Sequence, residues 1–378
     1  MDDSLAGTLT EWRRHLHAHP ELSNQESETA SFVRDRLTEL GVSFVAGVGG
    51  HGVVATISRG RSNRSVGLRA DMDALPITET TGLPYASKNP GVMHACGHDG
   101  HTTSLLGAAA LLARDRSWSG TVHLVFQPAE EGGGGARNMI ADRLLDRFPM
   151  ERIFGYHNWP GLPVGTVAVH DGPVMAAGGR LEFRVKGRSG HAAMPHQARD
   201  PMLAAAHLLI ALQSLISRET NPLDAAVISI CTMETGQAAN QIPDEAVMRG
   251  TMRSLRPEVR AAMDAGMHRV AAGVAQTFGV EIDVAIRHGN VVTTNHKAEA
   301  DLAAAAAAGA GLAVRRDLPP AMTGEDFSWY LVEKPGAFVW IGNGDTAGLH
   351  NSGYDYNDAL LPAAATYLAA VARRALEG

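Results

Sequence analysis

The spacing of apolar residues changes period several times along the chain, and each change marks an element. Residues 8–40 carry apolar positions at helical spacing and read as a helix pair. The first runs through Trp12-Arg13-Arg14-His15-Leu16-His17-Ala18 to His19-Pro20, with its histidines and arginines on an exposed face. The second covers 27–40 and stops at Gly41. Short β-branched runs follow, Val53-Val54-Ala55-Thr56-Ile57 and Ser65-Val66-Gly67-Leu68-Arg69-Ala70, and predict strands. An Ala/Leu-rich stretch over 102–112 predicts a buried helix, and further strands are expected over 121–127, 152–156 and 337–341. Strands alternating with helices predict an α/β fold on a mainly parallel sheet.

Residues 177–290 follow another pattern. An alternating strand over 179–187, a helix over 201–217, strands over 225–233 and 245–253, a helix over 258–278 and a strand over 280–286 give the order βαββαβ. That order predicts a small α+β unit with an antiparallel sheet. It interrupts the α/β pattern, so the expected organisation is a first part over 1–176, an inserted domain over 177–290 and a second part over 291–378. Two connections to an insert permit hinge motion. The alanine-rich run over 301–312 needs only its helix propensity as explanation.

Composition narrows the function classes. A chain of 378 residues exceeds one ordinary core, and 45% hydrophobic against 19% charged residues describes a folded protein. The formal net charge of −7 argues against a nucleic-acid surface or a basic membrane patch. Two cysteines, Cys96 and Cys231, and a start without an apolar leader suggest a reduced, cytoplasmic protein.

Candidate chemistry centres on Met93-His94-Ala95-Cys96-Gly97-His98-Asp99-Gly100-His101. Cys96 and His98 are two residues apart and enter a helix, so both side chains can reach one point. A thiolate with a neutral imidazole suits a borderline divalent metal. Asp71, Asp73, Glu130, Glu131, His157 and His350 all follow the carboxyl ends of predicted strands, where open α/β sheets bind ligands. Cys96, His98, Glu131, His157 and His350 make five ligands, one more than a closed zinc site takes, which suits two ions sharing a ligand. Glu130 is then free to act as general base on a water acidified by metal. Glycines 132–135 form no phosphate loop, because Ala136-Arg137 stands where Lys-Ser/Thr is required. His191, Asn240 and Arg253, in the inserted unit, carry weak signals alone.

Taken together, the motifs resemble the dinuclear metallo-amidohydrolases and peptidases that include hippurate hydrolases, N-acyl-amino-acid aminoacylases and auxin-conjugate hydrolases, with the hippurate hydrolase branch nearest. They are Leu16 to Leu22, Leu68-Arg69-Ala70-Asp71-Met72-Asp73-Ala74-Leu75-Pro76, Met93 to His101, Gln127 to Gly135, His157-Asn158-Trp159-Pro160, Gly190 to His196, Gly324-Glu325-Asp326-Phe327 and Leu349-His350-Asn351. The resemblance implies a metallopeptidase-type catalytic domain with an inserted lid that also dimerises. It implies two divalent ions, manganese or zinc with cobalt and nickel as further options, bridged by Cys96. Asp71 and Asp73 would orient the ligands from behind, Glu130 would be the general acid/base, and His191, Asn240 and Arg253 would contact substrate. The implied reaction splits the amide of an N-acyl amino acid, and the rival within enzymes is a small dipeptidase or carboxypeptidase. A purely structural metal site would lack the free base, and a Cys96 nucleophile would survive chelation. Arg287-His288-Gly289-Asn290-Val291-Val292 departs from the family pattern, which bears on the hinge and not on the chemistry.

Overall fold

The computed structural model describes residues 2–377. They divide into two compact units: one holds the chain up to Val174, Thr294–Pro319 and the chain from Asp326 on, and the other holds Met175–Thr293 and Pro320–Glu325.

The first unit is built on an eight-stranded sheet in the order Ser43–Val48, Gly52–Arg59, Gly120–Gln127, Ser65–Asp71, Arg152–Pro160, Gly336–Gly344, Val167–Ala168 and Val314–Arg315. The four central strands, Gly120–Gln127, Ser65–Asp71, Arg152–Pro160 and Gly336–Gly344, run parallel to one another. Antiparallel pairs flank them, including the edge strand Ser43–Val48 that the apolar pattern does not announce. In Ser65–Asp71 every residue from Val66 on is buried, as a parallel strand covered on both faces must be. Helix His98–Arg114 and helix Leu361–Glu377 pack together and against this strand. Leu105, Leu106, Leu112, Leu361 and Leu368 are fully buried between the layers, each contributing about 1.5–3 kcal/mol of transfer free energy.

Two expectations are corrected here. Strand Arg152–Pro160 runs past the predicted end at 156, so His157 lies inside the strand. Helix Asp3–Ala18 exposes Arg14 and His15 but not the rest of its basic run: Arg13 and His17, one turn apart, are fully buried. Arg13 Nε donates to Asp99 Oδ2 at 3.0 Å, and its Nη atoms pair with Asp355 and Asp358. His17 Nδ1 lies 2.8 Å from Asp99 Oδ2 and its Nε2 3.4 Å from Glu79 Oε1. Burial of charge is tolerated only with such partners. All of them are distant in sequence, which is why composition around residue 13 suggests solvent.

This network makes stability depend on pH. Burial pulls the His17 pKa down, but hydrogen bonds to Asp99 and Glu79 outweigh it and raise it to about 9. A raised folded pKa stabilises fully below the unfolded value of about 6.5, and the contribution is lost as pH rises through about 9. The metal-free protein should therefore lose stability between these values, by an amount on the order of a few kcal/mol. Denaturant titrations of wild type and His17→Gln check this; equal slopes with pH in both proteins would contradict it.

The second unit carries a four-stranded antiparallel sheet in the order Ala226–Thr235, Glu245–Ser254, Ala177–Lys186 and Glu281–His288. Helices Pro201–Ser214 and Pro257–Phe278 cover one face, giving βαββαβ in chain order. Strand Ala177–Lys186 alternates between buried and partly exposed positions, and Leu181, Phe183 and Val185 meet Leu208, Leu212 and Met267 in the core. The stretch from Pro201 to Glu219 is long and apolar enough to cross a bilayer by length and composition. In this fold Ala204, Ala205, Leu208 and Leu212 of that stretch are buried in the core beside the sheet.

Candidate metal centre

Six residues converge at the carboxyl edge of the parallel strands. Cys96 lies in the loop before helix His98–Arg114, and His98 is its first residue. The turn between them is sharp: Gly97 has φ 86°, and a Cβ there would stand 2.4 Å from Asn158 Oδ1 and 2.6 Å from the Tyr354 hydroxyl. Glycine is required at this position. Glu130 and Glu131 follow strand Gly120–Gln127, His157 projects from strand Arg152–Pro160, and His350 follows strand Gly336–Gly344. His350 is drawn back to the cysteine loop by its N–H, which donates to the Ala95 carbonyl at 2.8 Å.

The donor atoms form two groups that share Cys96. Cys96, His98 and His157 offer ligand atoms all within 4.8 Å of one another, and so do Cys96, Glu131 and His350. Cys96 Sγ is 3.3 Å from His157 Nε2, and His350 Nε2 is 3.3 Å from Glu131 Oε1. Glu130 joins His98 and Glu131 in a third group.

Hydrogen bonding aims the two buried imidazoles. His98 Nδ1 lies 2.9 Å from the Asp73 carbonyl and 3.3 Å from Asp73 Oδ1. His157 Nδ1 lies 2.7 Å from the Asn158 carbonyl. Nδ1–H is the donor in each, since a carbonyl only accepts, and Nε2 is left as the ligating nitrogen. His98 Nε2 and Glu131 Oε1 are buried without a hydrogen-bond partner. Two buried lone-pair donors that no hydrogen bond satisfies, beside a buried thiol and the His350 imidazole, fit a cation.

Electrostatics point the same way. Burial raises the Cys96 thiol well above its ordinary value, and the charges of Glu131, Glu130 and Asp71 add to it. Burial would lower His98, but Asp71 and Asp73 lift it to about 10. His157 is held well below its ordinary value by burial first and then by His101. The pocket thus holds an excess of carboxylates that a proton on His98 partly neutralises. A divalent ion would replace that proton and stabilise the thiolate.

Asp71 and Asp73 stand behind this set. Asp73 Oδ2 accepts the Glu131 N–H at 3.0 Å, so the residue that holds His98 also fixes the glutamate loop. Asp71 Oδ1 is 2.6 Å from His101 Nδ1, and its Oδ2 accepts from Arg69 Nη1 at 2.7 Å. His101, Arg69, Gln127 and Asp326 were given no role from sequence, although each falls within one of the motifs. Asp326 accepts from Arg69 Nη2 at 2.8 Å, from Gln127 Nε2 and from the Ala136 N–H. Its own N–H donates to Glu130 Oε1 at 3.2 Å. Burial raises the Asp326 carboxyl to about 6.

His191, Asn240 and Arg253 belong to the second unit. His191 is exposed in a two-residue ladder, Gly190–His191 against Gln241–Ile242, and its Nδ1 accepts the Ala193 N–H at 3.0 Å. The Asn240 carbonyl accepts from Ala192 N–H at 3.0 Å. Arg253 Nη1 donates to the Met252 carbonyl at 2.8 Å.

The chain is similar to known proteins over nearly its whole length. The sequence profile of peptidase family M20/M25/M40 matches residues 67–374. The N-acetyl-L-cysteine deacetylase of Bacillus subtilis is 40% identical over 366 residues, covering 97% of this chain and 87% of the relative. The hippurate hydrolase of Campylobacter jejuni is 40% identical over 377 residues, covering 99% and 98%. A crystal structure from Bacillus subtilis, of a dinuclear metal binding peptidase from the M20 family, matches with a TM-score of 0.89 at 37% identity, covering 100% of this chain and 99% of that one.

Proposed function

We propose, from the premise that this chain belongs to peptidase family M20/M25/M40, that it is a metal-dependent amidohydrolase which splits N-acyl amino acids into a carboxylic acid and a free amino acid. The observation that carries the reading is the pair of donor groups sharing Cys96, with Glu130 beside them. Cys96, His98 and His157 would hold one divalent ion, and Cys96, Glu131 and His350 the other. Thiolate, imidazole and carboxylate together suit zinc or manganese. The bound pair supplies Lewis acidity to the amide carbonyl and acidity to water.

The protein's own groups do the rest. Glu130 takes a proton from the attacking water as its oxygen bonds to the amide carbon. Glu130 then delivers that proton to the leaving nitrogen as the C–N bond breaks. The N–H of Asp326 donates to one oxygen of this carboxylate and so helps fix its position. Asp73, joining His98 to Glu131, keeps the ligand shells in register with the base. The substrate contacts that the resemblance gives to His191, Asn240 and Arg253 are part of this proposal.

The test is turnover by metal-reconstituted enzyme over N-benzoyl, N-acetyl and long-chain N-acyl amino acids, with dipeptides alongside. Hydrolysis of N-acyl amino acids in preference to dipeptides is expected. Preference for dipeptides would replace the reading with a peptidase. In the same assay, alanine at His191, Asn240 or Arg253 should weaken kcat/KM without changing metal content; three unaffected variants would remove them from the proposal.

A further inference from the structure

The glutamate loop is held in an unusual backbone conformation. Ala129, fully buried and immediately before Glu130, has φ 57°, in the left-handed region that residues with a Cβ rarely adopt. Its N–H donates at 2.8 Å to Oε1 of Glu26, a residue 0% exposed. The same oxygen accepts the N–H of Asn24 at 3.0 Å, and Asn24 is also left-handed, with φ 64°. The Ala129 carbonyl accepts from the Gly135 N–H at 3.0 Å. Across from it, a Cβ on Gly133 would stand 2.5 Å from the Ala129 Cβ and 2.7 Å from Asn24 Nδ2. Ala129 is therefore fixed on every side, and its unfavourable φ turns the chain so that Glu130 meets the Asp326 N–H.

A second contact from the same segment reaches the other shoulder of the loop. Ser23 Oγ donates to Asp73 Oδ2 at 2.6 Å, and that oxygen accepts the Glu131 N–H. The stretch between helices Asp3–Ala18 and Ser27–Glu39 thus grips both sides of Glu130-Glu131. None of Ser23, Asn24, Glu26 and Ala129 is assigned as a metal ligand, and nothing in the proposed reaction uses Glu26.

We infer that Glu26 is a positioning residue: its buried carboxylate holds Ala129 in the left-handed conformation that aims Glu130. The inference rests on Glu130 being the base. A misplacement of about 1 Å at a reacting group costs on the order of a hundredfold in rate. Glu26→Ala should lower kcat about 10- to 100-fold, with KM and metal content close to wild type. Glu26→Met fills the space without an acceptor and should behave alike, which covers the case of an alanine variant that does not fold.

Two further variants separate positioning from plain structural support. Glu26→Gln keeps an oxygen that accepts both N–H groups, so it should recover most of the rate. Adding Ala129→Gly to Glu26→Ala lets the backbone adopt the left-handed φ without strain, and kcat should rise roughly tenfold over Glu26→Ala. A lost packing contact would not be restored by a change at residue 129. Wild-type kcat in Glu26→Met, or a double variant no faster than Glu26→Ala, overturns the inference. Glu130→Gln is assayed in parallel: if it is dead while Glu26→Met is fully active, only the inference fails. If Glu130→Gln is itself fully active, the reading beneath it fails.

Discussion

Glu130→Gln should fold, bind metal as wild type does and lose turnover by about 10²–10⁴-fold. The amide is nearly isosteric with the carboxylate and can still meet the Asp326 N–H, which donates to Glu130 Oε1. It cannot take a proton from water. Metal content should survive because the two donor groups sharing Cys96 are complete without Glu130. The measurements are kcat on a good N-acyl amino acid and metal per chain by elemental analysis. A variant with full metal and near-normal kcat would remove Glu130 from the chemistry. One that loses metal in proportion to rate would make it a ligand, with His98 and Glu131 as its group.

The assignment of two neighbouring glutamates to different tasks illustrates what sequence could and could not say. The positions after strand ends were legible because parallel strands deliver their following loops to one edge. That logic places Asp71, Asp73, Glu130, Glu131 and His350 in one neighbourhood, with Cys96 and His98 on a loop that enters a helix. It misjudged His157 by a few residues, since the strand continues through it to Pro160. The division of labour follows from adjacency, Glu131 serving the metal and Glu130 the water; what holds each glutamate to its task was not legible. It depends on the N–H groups of Glu131 and Asp326, which point at Asp73 and Glu130 and leave no mark on composition. Nor was the role of Glu26, an acidic residue beside a polar turn. A left-handed alanine is a property of the folded backbone, and only a glycine there would have hinted at it. Likewise Arg13 and His17 read as a solvated face because Asp99, Asp355 and Asp358 reach them only through the fold.

Removal of metal should abolish activity outright, and Cys96 should govern its return. Exhaustive chelation leaves Glu130 with no acidified water to act on, so turnover should fall to background and recover on adding zinc or manganese. A cysteine nucleophile would predict survival of activity in the chelated enzyme. In the metal-free protein burial and the neighbouring carboxylates keep the Cys96 thiol protonated, while Asp71 and Asp73 keep a proton on His98 with a pKa of about 10. Both protons must leave when metal binds, so uptake should release protons, and affinity should fall as pH drops and they compete. Calorimetric titrations in buffers of different ionisation enthalpy count those protons directly. Because Cys96 belongs to both donor groups, Cys96→Ala should weaken both sites at once, lower metal per chain and reduce proton release by about one. Loss of a single ion with the other bound at wild-type affinity would show that Cys96 serves one site only. An unchanged metal count would show that it serves neither.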